Sequence, residues 1–559
     1  MNIYRKYLKK TTTLTIVVIV IISSVVSTGF VSRNFEIAKN LDIFTTLFRE
    51  LVINYVDEVN ASELVKTGID EMLISLDPYT NFIPESQIED YRFMTTGQYG
   101  GIGALIMRRG EYIFISETYE GFPADKAGLQ PGDKILEINN QSAKSKTSDE
   151  VSSLMKGQPG TSINMIIKRA GHEDNISVDL VREIVKIDNI PYYGLLNDNK
   201  TGYIKITSFT QNAGREVREA FHDLKKEHNI ENIIIDLRGN GGGLLNEAVN
   251  IANLFIDKDQ VIVRTKGKIE ERNTIHRTLN PSVDLDIPLV VLVDGSSASA
   301  SEIVAGAVQD LDRGIVIGQR TFGKGLVQNV VPLSYNTQLK VTVAKYYIPS
   351  GRCIQAIDYA QKNEDGGVAN IPDSLKVAFE TANGRVVFDG GGIEPDIPVE
   401  AQSLSSIAIA LITKFHIFEY ANNYFMQHPS IPPAEEFTIT DAIYDDFMLF
   451  LEGKDYSYNT ESEMYLDRLL KSAREESYYS SVEGQIEEIK ERIALSKKDD
   501  LKKHKQQISF LLENEIVGRY YKQKGRIIAS LGNDPELSKA LEIFAQKENY
   551  SEILTPNNP

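Results

Sequence analysis

The sequence predicts a multidomain α/β protein, and three observations carry the prediction. Strand and helix patterns alternate from residue 184 to 400, a block of short strand patterns bounded by turns precedes them at 94–183, and the flanks 33–93 and 401–559 read as helical. With 559 residues, 42% hydrophobic and 25% charged, the chain has the composition to build several cores.

The N-terminus opens with Arg5, Lys6, Lys9 and Lys10, followed by an uncharged run from Thr11 to Ser32 whose apolar centre is Leu14 to Val26. A basic start before an apolar stretch is an export signal, and this run is long enough to serve as an anchor. Residues 1–32 therefore read as a signal peptide or a membrane anchor, with no A-x-A cleavage pattern to decide between them. Positive-inside reasoning places the rest of the chain outside the cytoplasm, in the periplasm or on the extracytoplasmic face of the membrane. Residues 33–93 carry helical spacing at Ile43, Leu47 and Leu51, and again at Leu64, Val65, Ile69, Met72, Leu73 and Leu76, before Asp77-Pro78 stops the pattern. These helices are expected to be structural and to lie against a neighbouring domain. Block 94–183 opens with Tyr99-Gly100-Gly101-Ile102-Gly103 and continues with strand patterns at Tyr112–Ile115, Lys134–Asn139 and Ser162–Lys168, with a short helix at Pro123–Leu129. In block 184–400, strands are expected at Gly202–Ile206, Asn232–Leu237, Leu289–Val293, Ile315–Ile317 and Leu339–Ile348. Helices are expected near 212–228, 244–256 and 300–311. Residues 401–559 mix both charge signs, as in Glu487–Lys505, which reads as the exposed faces of packed helices.

The net charge of −18 argues against a general nucleic-acid binder. A single cysteine, Cys353, allows no intrachain disulfide, and its neighbours supply no base to activate it. None of the histidines, His172, His222, His228, His276, His416, His428 and His504, forms an H-E-x-x-H pattern, so a zinc site finds no support; neither a metal nor a cofactor is implied. Gly295-Ser296-Ser297-Ala298-Ser299 lacks the second glycine of G-x-S-x-G.

Three segments carry the chemistry. In Ile234–Gly243 a buried strand runs into Gly239-Asn240-Gly241-Gly242-Gly243 at a helix start, either a plain βα turn or a set of N–H groups for an oxyanion. In Val293–Ile303, small residues and several serines occupy a strand-to-helix junction, where serine serves as a helix cap or as a nucleophile at the positive helix end. In Gln319–Gln328, Lys324 lies between two glycines beside Phe322, Leu326 and Val327. It is either a solvated turn lysine or one whose ammonium form burial disfavours, fit to take a serine proton.

Together, S-A-S-A-S-E, T-F-G-K-G and D-L-R-x-N-x-G-G, with Lys345–Arg352 and Gly391–Asp396, resemble the C-terminal processing peptidases over roughly residues 35–400. The resemblance implies a crotonase-like or ClpP-like α/β protease core at 184–400 with an inserted PDZ domain at 94–183. It implies Ser299 as nucleophile, Lys324 as general base and Gln328 as the residue orienting the lysine. By the same resemblance, Ala300 and Gly242 would donate to the oxyanion, and Glu302 and Asp310 would support the site. Tyr99, Gly100, Gly101, Ile102 and Gly103 would form the PDZ loop that takes a peptide carboxylate, facing a helix near Thr147–Lys156. The expected partners are proteins or peptides with exposed apolar C-termini and no nucleic acid. A homo-oligomer, an adaptor protein and membrane association through the N-terminus stay open. The competing reading is a catalytically inactive PDZ scaffold on the same core; an acyl-CoA enzyme with a related core fits the PDZ block and export signal less well.

Overall fold

A computed structural model describes residues 34–362 and 368–556 of the chain. The signal or anchor expected at 1–32 lies outside the described residues, among which no helix is long and apolar enough to cross a membrane. The chain divides into two compact units, Met1–Phe82 and Ile83–Pro559.

In the first unit, helix α1 (34–54) precedes α2 (Ala61–Ile74), which Asn60 caps by accepting the N–H groups of Ser62 and Glu63. Within this unit Leu73 is buried.

The second unit begins with α3 (Ile88–Thr96) and continues into the block of short strands. β1 (Gln98–Gly101) leads to β2 (Ala104–Arg109), β3 (Tyr112–Thr118), the short α4 (Pro123–Lys126) and β4 (Lys134–Ile138). Then come α5 (Ser148–Met155), β5 (Ser162–Lys168), β6 (Ile176–Val181) and β7 (Glu183–Lys186). Strands β2 to β6 pair antiparallel in sequence order, while β1 pairs with β7. Alternation in β5 turns Ile163, Met165 and Ile167 inward against Ile113, Ile135, Val151 and Met155. Thr147 and Glu150 form a reciprocal capping box that fixes the start of α5.

The larger sheet has the order β8 (Tyr192–Leu195), β9 (Thr201–Lys205), β10 (Asn232–Asp236), β13 (Leu289–Val293), β14 (Ile315–Gly318) and β17 (Ile397–Pro398). Only β8 runs antiparallel to its neighbour. Crossover helices α6 (Ala213–His228), α7 (Leu245–Phe255) and α8 (Ala300–Asp310) join the parallel strands. Every residue of β10 and β13 is buried, as a parallel strand covered on both faces requires. One face, with Ile233, Ile235, Val291 and Val293, meets α6, α7 and α8. On the opposite face, Ile234, Val290, Leu292, Ile315 and Ile317 meet Leu537, Ala540, Ile543 and Phe544. Those four residues belong to α15 (Pro535–Ala545), so the end of the C-terminal extension supplies the second helical layer of the core. A second, antiparallel sheet joins β11 (Val261–Gly267), β12 (Thr274–Arg277), β15 (Leu326–Pro332) and β16 (Gln338–Tyr347).

Beyond the core, α9 (Ser406–Thr413), α10 (His416–Gln427), α11 (Asp441–Phe450) and α14 (Lys505–Ser530) share a cluster containing Leu411, Tyr420, Phe447, Leu512 and Ile516. Helices α12 (Glu461–Glu475) and α13 (Tyr479–Lys497) are largely exposed, as their mixed charges suggest.

Candidate active site

Strand β13 ends at the turn Asp294–Ala298, and α8 starts two residues later. The serines of this segment separate by environment. Ser297 is buried and donates to the Leu237 carbonyl (2.9 Å), while buried Ser301 donates to the Asn240 carbonyl (2.9 Å). Both are structural pins. Ser299 is half-buried and stands at the helix cap with φ 57° and ψ −111°. That conformation costs a residue with a side chain about 1–3 kcal/mol, and it presents Ser299 on a strained strand-to-helix elbow of the kind that displays a nucleophile.

Glu302, one turn into α8, is fully buried and joins the two halves of the site. Its Oε2 accepts the backbone N–H of Ser299 (2.7 Å) and that of Lys324 (2.9 Å). Its Oε1 accepts the Gly323 N–H (2.7 Å) and the Thr321 hydroxyl (2.6 Å). One carboxylate therefore fixes the backbone of the elbow and of the lysine loop together. Burial pushes the Glu302 carboxyl up to about 7, against hydrogen bonds from Thr321, Lys324, Ser299 and Gly323 that favour its charged form.

The lysine loop is held from all sides. Thr321 also accepts the Ile393 N–H (2.6 Å), the Phe322 N–H donates to the Ser297 carbonyl (3.0 Å), and the Gly325 N–H donates to Gln355 Oε1 (2.8 Å). The Tyr346 hydroxyl donates to the Lys324 carbonyl. Gly323, at φ 83°, admits no side chain, since a Cβ there would lie 2.4 Å from the Ala356 Cβ. Lys324 itself is half-buried, like Ser299. Sequence patterns gave Thr321, Asn240, Gln355 and Tyr346 no role; Thr321, Asn240 and Tyr346 fall inside the family motifs, but the motifs do not say what their side chains bind.

The glycine turn passes directly over the elbow. At Gly242 (φ 97°) a Cβ would lie 2.6 Å from the Ala298 oxygen and 2.9 Å from both the Ala300 nitrogen and the Ser299 Cβ. Ala300 occupies the first position of α8, where an N–H has no preceding helical carbonyl. The expectation for Gly242 requires correction: its N–H donates to Asn240 Oδ1 (2.9 Å) and is not directed at an oxyanion. Asn240 is itself buried and donates to the Ile206 carbonyl (2.9 Å), which explains why the turn adopts this closed form.

Other residues fall where the sequence did not place them. Asp310 lies at the far end of α8, about 16 Å along the helix axis from Ser299. It is not on a helix surface: it is buried, paired with buried Arg352 (2.8 Å), and accepts the Ser350 N–H (2.9 Å), fastening the turn 348–352 to α8. The Gln328 amide donates to Thr342 Oγ1 (3.3 Å) across the β15–β16 ladder, next to a register shift. Burial pushes the Cys353 thiol up, which leaves it a poor nucleophile.

In the smaller domain, Tyr99 to Gly101 lie on β1, and Ile102 and Gly103 connect it to β2. Carbonyls of this loop are held by the Ala124 N–H at Ile102 (2.8 Å) and the Tyr119 N–H at Gly103 (2.9 Å). The Tyr99 ring covers Gly101 and meets Phe93 edge-on at 5.2 Å. Burial, helped by Tyr119, raises the Tyr99 hydroxyl above the ordinary phenol range.

Family models match three stretches of the chain: Peptidase family S41 at 200–362, a PDZ domain at 114–169, and the C-terminal helical domain of a probable PDZ-protease at 407–544. These matches define the class, an S41 peptidase carrying a PDZ domain. Over 324 residues the chain is 34% identical to the carboxy-terminal-processing protease of Bartonella bacilliformis, covering 57% of this chain and 73% of that one. It is 33% identical over 318 residues to a probable CtpA-like serine protease of Staphylococcus aureus (strain MRSA252), covering 56% of this chain and 62% of the relative. Among solved structures, a photosystem II D1 C-terminal processing protease is 27% identical with a TM-score of 0.36, over 64% of this chain and 86% of that one. The chain belongs to the carboxy-terminal-processing proteases and is a serine-type peptidase.

Proposed function

We propose that this protein is an endopeptidase that takes hold of protein C-terminal tails through its PDZ domain and cuts peptide bonds with Ser299 and Lys324. The observation that carries the reading is the shared carboxylate: Glu302 Oε2 accepts the backbone N–H groups of both residues, so the main chain that carries the hydroxyl and the amine is held by one buried anchor. Lys324, in its neutral form, takes the Ser299 proton as the hydroxyl oxygen attacks the scissile carbonyl. The Ala300 N–H receives the developing oxyanion, and Gly242 leaves room for it. Lys324 then gives the proton to the leaving amine. Water, activated by the same lysine, releases the acyl fragment as a new carboxylate. Gln328 keeps its side-chain oxygen for the lysine amine, while its NH2 is spent on Thr342. In the crotonase-like or ClpP-like core assigned to 184–400, the Ser299 elbow and the glycine turn follow the C-terminal ends of parallel strands, and Gln328 lies on the antiparallel sheet.

In the PDZ domain, assigned to 94–183, the N–H groups of Tyr99–Gly103 receive the tail carboxylate and β2 pairs with the extended tail. The N-terminal segment 1–32 directs export, which places the enzyme on the extracytoplasmic face of the membrane. Product mass spectrometry tests the reading with one peptide made in two forms, a free apolar C-terminus and an amidated one. The free acid is cut faster and Ser299→Ala cuts neither. Equal cutting of both forms would sink the tail reading; cutting by Ser299→Ala would sink the nucleophile.

A further inference from the structure

We propose that residues 522–536 of the C-terminal extension form a strut joining the PDZ domain to the glycine turn beside Ser299, so that tail occupancy reaches the catalytic site through this segment. The inference rests on the proteolytic reading above and adds the physical connection it requires.

At its first end the strut grips the PDZ domain. Lys522 Nζ lies 3.0 Å from Thr118 Oγ1 and 3.4 Å from Asp125 Oδ1, and the Arg526 guanidinium pairs with Glu117. These partners are next to the tail loop. Thr118 ends β3, and Asp125 accepts the Gly121 N–H (3.0 Å). Their immediate neighbours, Tyr119 and Ala124, hold the carbonyls of Gly103 and Ile102. Two hydrogen bonds thus tie the Ile102 and Gly103 carbonyls to Ala124 and Tyr119, each one residue from a partner of Lys522.

Lys522 is also where α14 breaks. Its φ of 54° and ψ of −153° interrupt the helix in a region that side chains rarely adopt. The two halves are folded close together, since a Cβ at Gly518 would lie 2.6 Å from Arg526 Nη1. A second contact, Arg109 with Glu419 (2.5 Å), joins the PDZ domain to α10 of the same helical region.

At its other end the strut meets the catalytic core. After the break, Ile527 and Leu531 lie against the outer face of the large sheet, and the chain turns at Asp534 into α15. Asp534 takes both terminal nitrogens of Arg238 (2.9 and 2.6 Å), and Glu536 takes one of them (3.3 Å). Arg238 is clamped on its other side by Asp236 (2.6 Å) and is followed at once by Gly239, whose N–H is held by Asp294 at the root of the Ser299 elbow (3.0 Å). The guanidinium is thus shared between the extension and the start of the turn that passes over Ser299. Residues 534 and 536 are positioning residues that act through Arg238. The structure shows both ends seated; the coupling requires that tail binding release one set of these charged contacts.

The test uses the full chain and a short reporter peptide with an amidated end, cut with and without a tail peptide added in trans. In the wild type the free-acid tail peptide changes the reporter rate at least about fivefold, and its amidated form does not. Arg526→Glu loses this response while its basal rate and its tail-peptide affinity, read by fluorescence anisotropy, stay within about twofold of wild type. The charge exchange Glu117→Arg with Arg526→Glu restores the response. Asp534→Asn, far from the PDZ domain, loses it too, with tail affinity retained. A wild type that ignores the tail peptide, or variants that respond as wild type does, would overturn the strut and leave the proteolytic reading intact. A Ser299→Ala enzyme that still cuts the reporter would overturn both.

Discussion

In the sequence Glu302 is a supporting acid by family resemblance alone, and its position in S-A-S-A-S-E says no more than that. Folded, it accepts from four donors, the backbone N–H groups of both Ser299 and Lys324 among them. Glu302→Gln turns one oxygen into an NH2 facing N–H donors, and breaking such buried charge-assisted bonds costs about 2–3 kcal/mol. We expect kcat/KM to fall by roughly 100-fold, measured on a tailed peptide. The carboxyl, raised by burial from 4.5 to about 7, also sets a pH dependence. Above about pH 7 it is ionised and all four donors are matched; as pH falls through 7 it takes up a proton, and the rate falls with it. Stability runs the other way. A folded pKa above the unfolded one gives a contribution that is complete below pH 4.5 and lost as pH rises through about 7, worth roughly 3 kcal/mol. Chemical denaturation at several pH values measures it, and Glu302→Gln should flatten that part of the curve.

Single elements show how far residue patterns reach. Continuous apolar runs located β10 and β13, and helical spacing located α6, α7 and α8, because strands buried on both faces and amphipathic helices each leave a local signature. The elbow at Ser299 and the loop at Lys324 were legible as motifs, through their glycines and small residues. Side-chain partners were not. That Ser297 and Ser301 are pins and Ser299 is displayed depends on the carbonyls of Leu237 and Asn240, which come from a different strand end. That Asn240 captures the Gly242 N–H two residues on is an Asx turn, which Asn240-Gly241-Gly242 permits but does not require. The turn itself makes a prediction: Gly242→Ala adds a Cβ 2.6 Å from the Ala298 oxygen at a φ of 97°. On the proposed reading, activity should drop at least about tenfold with KM little changed, since the clash falls on the Ser299–Ala300 elbow and not on the PDZ loop. An unchanged kcat would remove the turn from the oxyanion site.

For the molecule as a whole, the end of the C-terminal extension, α15, completes the large sheet's outer layer. Its role was illegible because α15 reads as one more amphipathic helix, and only the fold reveals that its apolar face closes the outer side of a sheet some 200 residues earlier in the chain. Burying Leu537, Ile543 and Phe544 is worth about 1.5–3 kcal/mol each. A chain truncated before Asp534 should therefore lose several kcal/mol, lower its melting temperature and expose Val290, Leu292 and Ile317 to dye binding. A truncated chain as stable as the full one would show that the layer is dispensable. The same truncation removes the Asp534 partner of Arg238, so it joins stability and catalysis in one change.

The most direct measurement is kcat for Ser299→Ala, Lys324→Ala and the double variant on one tailed peptide. If the hydroxyl and the amine act as a unit, each single substitution lowers kcat by at least about 1,000-fold and the double variant is no worse than either. Losses that multiply in the double variant, or substantial cutting by either single one, would contradict a shared Ser299–Lys324 centre.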